Sequence, residues 1–260
     1  MGFHTFVICA YGQSPYLEAC IRSLKAQTVP TEIICATSTP GPWLAGILEK
    51  HRIPLWVRDG QSNIQDDWNF AVEKAGGTFV TIAHQDDLYG RHYVEELCKA
   101  YKKWPDMTVF MSDAVVIKQG KLCWGGAVEA VKKALRLPWR PAFLCHLTAV
   151  KRSGLMFGNP VMCPSCSYRK EKLSMPLFSG GYDFVLDWEC MRKLAGEPGR
   201  FVCVERPLLY YRVHDGATTK ACIRDHRRER EERQMFEKIW PGRIAAGIMV
   251  LYRLAYRNYR

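Results

Sequence analysis

Apolar residues in this chain come in short, nearly unbroken runs that alternate with segments of helical period. The run at 4–12, "HTFVICAYG", is rich in β-branched and aromatic residues and stops at a glycine, which predicts a first strand. Residues 14–27, "SPYLEACIRSLKAQ", put Leu17, Ile21 and Leu24 on one helical face, with Ser14 expected as the N-cap and Pro15 at the first helical position. Further strands are expected at 31–40, 53–59 and 78–83, separated by helices over 41–51 and 64–76, the second closed by Gly76 and Gly77. A helix over 93–104 and a strand over 107–117 follow. Residues 120–182, rich in Trp, Pro, Gly, Lys and Arg, show no period. Helical period returns at 182–196 and strand alternation at 201–214, and from 221 the chain is charged and helical to its end.

Strand and helix in strict alternation are the rhythm of a parallel sheet covered on both faces, and continuous apolar strands fit that arrangement. Ligands of such sheets bind beyond the carboxyl ends of the strands. Tyr11, Thr37, Ser38 and the pair Asp86 and Asp87 all follow such ends, so they are expected to share one crevice.

Composition narrows the setting. The 260 residues are 48% hydrophobic, enough for one sizeable core, and the net charge of +11 suits anionic partners. The opening segment reads as a strand and not as a signal peptide, and the longest apolar run, 244–252, is far below the ~20 residues of a spanning helix. A cytoplasmic protein is expected. Its 11 cysteines fall mostly in apolar segments, as reduced thiols of a core do, and the lone "CPSC" at 163–166 reads as packing and a turn, not a zinc site. The stretch "RDHRREREERQ" (224–234) reads as a solvated helix with an i,i+4 pair between Glu229 and Arg233. A nucleic-acid interface would want aromatics interleaved with its basic residues, so no nucleic-acid partner is expected.

The chemically unusual segment is "VTIAHQDDLYG" (80–90), where a buried strand delivers two adjacent carboxylates. Taken alone, the pair reads as a solvated turn whose aspartates cap the helix that follows.

Four segments in order change that reading: "FVICAYGQSPYLEACIRSLKAQT", "DDWNFAVEKAGGTFVTIAHQDDLYGRHYVEEL", "LDWECMRKLA" and "RPLLYYRVHDGATT". Together, over about residues 4–219, the chain resembles the inverting glycosyltransferases of family 2. The resemblance implies a GT-A fold: α/β, with a Rossmann-like, mostly parallel sheet, helices on both faces and a C-terminal helical tail. A catalytic domain at 1–219 would divide into a nucleotide-sugar half (1–118) and an acceptor half (119–219), with the tail at 220–260. It implies transfer of a sugar from a nucleotide-sugar donor, a UDP-sugar by first choice, to a hydroxyl of a glycan or lipid-linked acceptor, in cell-surface polysaccharide synthesis.

By the same resemblance Asp87 and His214 would hold a divalent Mg or Mn ion. Ala10, Tyr11, Thr37, Ser38, Asp66, Asn69, Asp86 and Arg212 would contact the donor. Asp187 would be the general base with Asp183 as its alternative, and Pro164, Ser165, Asp183 and Trp188 would shape the acceptor side. An apolar neighbour, Leu186, could raise the Asp187 carboxyl by desolvation. The sequence departs from the family pattern at several positions. His84 replaces a third acidic residue, Leu186 replaces the glutamate before the base, Trp68 stands where an arginine is common, and "CATSTP" lacks a base-reading aspartate. A nucleotidyltransferase on a similar sheet would want a glycine- and basic-rich phosphate loop, but "AYGQSPY" has one glycine and no Lys or Arg.

The tail, "WPGRIAAGIMVLYRLAYRNYR" (240–260), aligns Ile244, Ile248, Leu251 and Ala255 at helical spacing, flanked by Tyr252 and Tyr259 and opposed by Arg253, Arg257 and Arg260. Such a helix either lies on an anionic membrane at the cytosolic face or docks on the domain.

Overall fold

The computed structural model describes residues 2–214, 222 and 224–256. Strands β1 (His4–Ala10), β2 (Glu32–Thr37), β3 (Leu55–Val57) and β4 (Phe79–His84) pair in parallel. Helices α1 (Leu17–Lys25), α2 (Pro42–Lys50) and α3 (Ile64–Lys74) connect them, as the alternation of periods requires. The short β5 (Leu88–Tyr89) and helix α4 (Tyr93–Lys103) lead to β6 (Met107–Lys118), and β7 (Lys121–Cys123) folds back on it. Then come α5 (Ala127–Leu135), α6 (Thr148–Ser153), β8 (Cys166–Arg169), α7 (Leu186–Leu194) and β9 (Arg200–Val213). The described chain ends in α8 (Arg227–Ile239) and α9 (Gly242–Tyr256).

The sheet runs β3-β2-β1-β4-β8-β6-β9-β5. Sequence pattern missed β8, which is inserted antiparallel between β4 and β6. It lies within residues 120–182, the segment that shows no period. A four-residue strand with polar Ser167 and Arg169 offers too little alternation to stand out. One apolar cluster packs Leu17, Ile21, Leu48, Tyr93 and Leu97 of α1, α2 and α4 against Phe6 and Ile8. The other packs Trp68, Trp188, Met191, Phe236 and Met249 of α3, α7, α8 and α9 against Val7 and Ile82. Gly77 lets the chain re-enter the sheet after α3: a Cβ there would lie 2.7 Å from the His4 carbonyl carbon.

Several local expectations are corrected. Helix α1 starts at Leu17, later than expected; the Ser14 hydroxyl accepts the Tyr16 N–H at 3.3 Å in the turn before it and donates to Asp86. Helix α7 starts at Leu186, four residues late, because the N–H groups of Asp183, Phe184 and Val185 donate to the Glu231 carboxylate at 3.2, 2.7 and 3.1 Å. Helix α8 is docked and not merely solvated: Arg228, Glu231 and Glu232 are buried, the i,i+4 pair is Arg228–Glu232, and Glu229 pairs with Arg253 of α9.

Helix α9 packs through Ala245, Ile248, Met249 and Tyr252, a face rotated from the expected stripe. Tyr252 donates to the Phe157 carbonyl at 3.1 Å. Ile244, Val250 and Leu251 point outward. The Ala255 side chain, Arg257, Tyr259, Arg260 and the boundary at 219/220 lie outside the described residues. No described helix is long and apolar enough to cross a membrane.

Candidate active site

Strand β4 ends at His84, and β9 returns over that end to assemble the site. Through one oxygen Asp87 accepts the Arg212 main-chain N–H at 2.8 Å, and the Arg212 Nε donates to the Asp86 carbonyl at 2.9 Å. His214 Nε2 lies 3.1 Å from Asp86 Oδ2, while Ser14 donates to Asp86 Oδ1. The Tyr16 ring packs against both side chains, 4.3 Å from the Arg212 guanidinium and 5.2 Å from the His214 ring. Four residues from distant parts of the chain therefore meet around one carboxylate.

The two aspartates tolerate each other because their surroundings differ. Asp87 is 1% exposed, and burial pushes its carboxyl up to about 8. Its Oδ2 is buried without a partner, as is Nε2 of His84. Burial lowers His84 to about 4, so its ring is neutral, stacked 5.3 Å from Trp68. The side chain of Asp86 is 25% exposed and that of His214 21%. Asp86, not Asp87, is thus the accessible member of the pair.

A divalent cation fits this strand end as a partial set. Among the described residues no three His, Cys, Asp or Glu side chains form a metal cage. Small hard cations are commonly held by one or two carboxylates, with substrate phosphates completing the shell. Asp86, with His214 beside it and the orphaned Asp87 Oδ2 behind, supplies such a set.

On the nucleotide side several expected contacts are already engaged within the protein. The Thr37 hydroxyl donates to the Ala10 carbonyl at 2.7 Å and accepts from Thr39 N–H at 3.0 Å, locking the ends of β1 and β2 together. Ala10 is buried. Asn69 holds the main chain of Phe178 in both directions, at 2.8 and 2.9 Å, so it is a clamp and not a free base reader. Asp66 sits in the cap of α3, bonded to Asn63. Ser38 donates to Asp67 at 2.9 Å, and Asp67 also takes Arg58 at 2.7 Å and Ser62 at 2.9 Å. The carboxylate absent from the β2 turn is therefore supplied by Asp67, from the first turn of α3. Tyr11 is exposed, its backbone tied to Gln85.

Asp187 stands in the first turn of α7. Its Oδ1 accepts the Trp188 N–H and its Oδ2 the Asn159 Nδ2, both at 2.8 Å. Burial raises its carboxyl; the Lys132 ammonium and the two hydrogen bonds oppose the shift. The desolvation comes from a wider apolar surround than Leu186 alone, including the buried thiols of Cys163, Cys166 and Cys190, all of which feel its charge.

The other residues expected on the acceptor side are engaged within the protein. Asp183 precedes the helix and pairs with Arg227 at 2.7 Å, so it does not share a helical face with Asp187. Trp188 is 1% exposed, with its indole N–H on the Leu155 carbonyl. Pro164 and Ser165 form a buried turn whose carbonyls accept from Tyr89 and Tyr93. None of the last three faces open solvent. Tyr16, Gln85, Lys132 and Asn159 were not singled out by sequence; Ser14 was read only as a helix cap, and Asp67 stood with Asp66 and Asn69 in the segment where the resemblance places base or ribose contacts.

A family model described as glycosyl transferase family 2 matches residues 5–146. Among solved structures the chain is similar to S. aureus TarS 1–349 in complex with UDP-GlcNAc, with a TM-score of 0.64 and 15% identity over 95% of this chain and 70% of that one. It is also similar to the mannosyltransferase PcManGT from Pyrobaculum calidifontis in complex with GDP-Man and Mn2+, with a TM-score of 0.67 and 14% identity over 90% of this chain and 63% of that one. At such identities the likeness is one of fold. No curated protein matches in sequence.

Proposed function

The chain belongs to glycosyl transferase family 2, and from that membership we propose that it moves a sugar, with inversion, from a nucleotide donor to a hydroxyl of a glycan or lipid-linked acceptor. The observation that carries the reading is the meeting of Asp86 and His214 at 3.1 Å, beside the Arg212 guanidinium. An accessible carboxylate beside an imidazole and a guanidinium suits a diphosphate and the cation that accompanies it. TarS and PcManGT were solved with a nucleotide sugar bound, the second also with Mn2+.

In this reading Asp86 and His214 would hold a Mg or Mn ion, which when bound neutralises the charge growing on the departing diphosphate. Arg212 pairs with a phosphate oxygen. Tyr11 packs beside base or ribose, and Asp67 with Ser38 reads the base edge; a UDP-sugar is the preferred donor. Asp187 takes the proton from the acceptor hydroxyl as it attacks from the side opposite the leaving group. Burial raises its proton affinity, as suits a general base, and Asn159 aims the receiving carboxylate. Assembly of a cell-surface polysaccharide at a membrane is the setting this suits, with the outward residues of α9 on anionic lipid.

A thermal-shift panel of nucleoside diphosphates with and without Mn2+ tests the reading. Metal-dependent stabilisation by one of them is expected, and no response to any would refute donor binding.

A further inference from the structure

Two adjoining cavities, of about 180 and 120 Å3, open beside the β6–β9 pair and share Asp113, Lys133 and Glu205 in their linings. Their origin is local. The register of β9 on β6 slips on both sides of Asp113, which faces Pro207. Proline has no N–H to give the ladder, so the strands part there, and the extra residues, Glu205 and Arg206, bulge outward. Helix α5 covers the gap with Lys133 and Arg136.

The lining has the chemistry of a carbohydrate site. Trp124, 66% exposed, offers an open indole face at one end. The charged groups match one another. Arg136 and Lys133 hold Asp113 at 2.7 and 3.2 Å, and Arg140 holds Glu205 at 2.6 Å. With Glu129 also in the lining, three carboxylates face three cations, so no net charge remains to select a phosphate or an acidic sugar. The largely buried Asp113 and Arg136 and the exposed Arg140 and Glu205 offer acceptors and donors to sugar hydroxyls, and an exposed indole receives the apolar C–H face of a pyranose ring.

The cleft is tied to the base by three consecutive residues. Asn159 donates to Asp187 at 2.8 Å, the Pro160 carbonyl accepts from Arg136 at 3.4 Å, and the Val161 carbonyl accepts from Lys132 at 2.9 Å. Lys132 and the C-cap residue Arg136 are one turn apart at the end of α5, so the same wall faces Asp187 at one point and the cleft at the next. From Ala127 to Lys132 the helix rises ~7–8 Å, longer than one pyranose ring.

We infer that this cleft receives the acceptor, a neutral glycan of two or more sugars whose reacting hydroxyl lies at Asp187 and whose chain runs along α5 to stack on Trp124. The inference rests on the reading of Asp187 as the general base and replaces the buried Pro164, Ser165 and Trp188 as the acceptor surface.

The test is binding of the full chain, with nucleoside diphosphate and Mn2+, to an array of neutral, sialylated and phosphorylated oligosaccharides. Wild type is expected to bind neutral members. Trp124→Ala, which removes an exposed side chain, and the double change Arg140→Gln with Glu205→Gln should each weaken that binding at least tenfold. Both should keep the wild-type thermal stabilisation by nucleoside diphosphate. Binding confined to charged glycans, absence of glycan binding by a protein that still responds to nucleoside diphosphate, or unchanged binding by Trp124→Ala would each overturn the inference. Absence of any nucleoside diphosphate response would instead overturn the glycosyltransferase reading beneath it.

Discussion

Asp87 accepts the main-chain N–H of Arg212 at 2.8 Å through Oδ1, while its buried Oδ2 meets no partner. One carboxylate of the pair therefore fastens β9 over the end of β4, and the other, Asp86, is left at the surface of the crevice with His214. The division of labour follows from burial and not from position in the motif.

Donor binding should separate the two. Asp86→Asn is expected to abolish the Mn2+-dependent part of nucleoside diphosphate stabilisation, and His214→Ala to weaken it about tenfold. Asp87→Asn should retain most of it, since its Oδ1 can still accept from Arg212. Thermal shift with a metal titration checks this, and the opposite ranking would return the metal to Asp87.

The same carboxyl makes stability depend on pH. Held up to about 8 when folded, Asp87 binds a proton that the unfolded chain releases near pH ~4. Between those values the native state carries more protons, so stability falls as pH rises. Asp87→Asn removes the dependence. Without donor or metal, urea unfolding should show the variant near wild type at pH 5 and more stable at pH 9 by on the order of 1–3 kcal/mol, the cost of an unsatisfied buried polar group. A constant difference across that range would refute the account.

Asp187→Asn keeps the shape and the Trp188 contact but cannot take a proton. Transfer should fall ~100-fold or more with donor affinity unchanged. Asp183→Asn should leave transfer within a fewfold of wild type, because that carboxylate serves Arg227. A dead Asp183→Asn beside an active Asp187→Asn would reassign the base.

Asn159→Ala removes a hydrogen bond that favours the ionised form of Asp187. The folded carboxyl then rises further, so the acid limb of the pH profile of kcat/KM should move to higher pH. Lys132→Met should move it the same way by removing a positive charge, whereas a purely structural role would lower the rate evenly at every pH.

For α9 the two faces predict opposite outcomes. Val250→Asp with Leu251→Asp, both outward, should leave Tm near wild type and abolish flotation with anionic liposomes. Met249→Ala, inward, should cost ~2–5 kcal/mol of stability. If the double variant floats like wild type, the outward residues do not touch lipid.

The sheet's first four strands were legible because each is a buried apolar run closed by a turn, and period 2 against period 3.6 separates them from their helices. The strand-end aspartates, Arg212 and His214 were legible through motif order. Which carboxylate is accessible was not, since burial of Asp87 depends on a main-chain N–H contributed 125 residues later. Asn69 and Thr37 were misplaced for a related reason. A polar side chain near a crevice reads as a ligand contact, yet these two are consumed by the backbones of Phe178 and Ala10. Glu231 was hidden by its company. In a run of alternating charges nothing marks the one carboxylate that turns inward to cap α7.

Strand β8 has a consequence for how this chain is made. It joins β4 to β6 through only four residues, and Thr81 of β4 meets Ser167 of β8, which follows it by 86 positions. During synthesis β4 and β6 leave the ribosome with facing edges and no partner until Arg169 has emerged. An unpaired strand edge is a template for association with another chain, and pairing at such sequence distance is slow. The first half of the molecule therefore waits for the second, and a nascent chain stalled before residue 166 is the species a chaperone must shield.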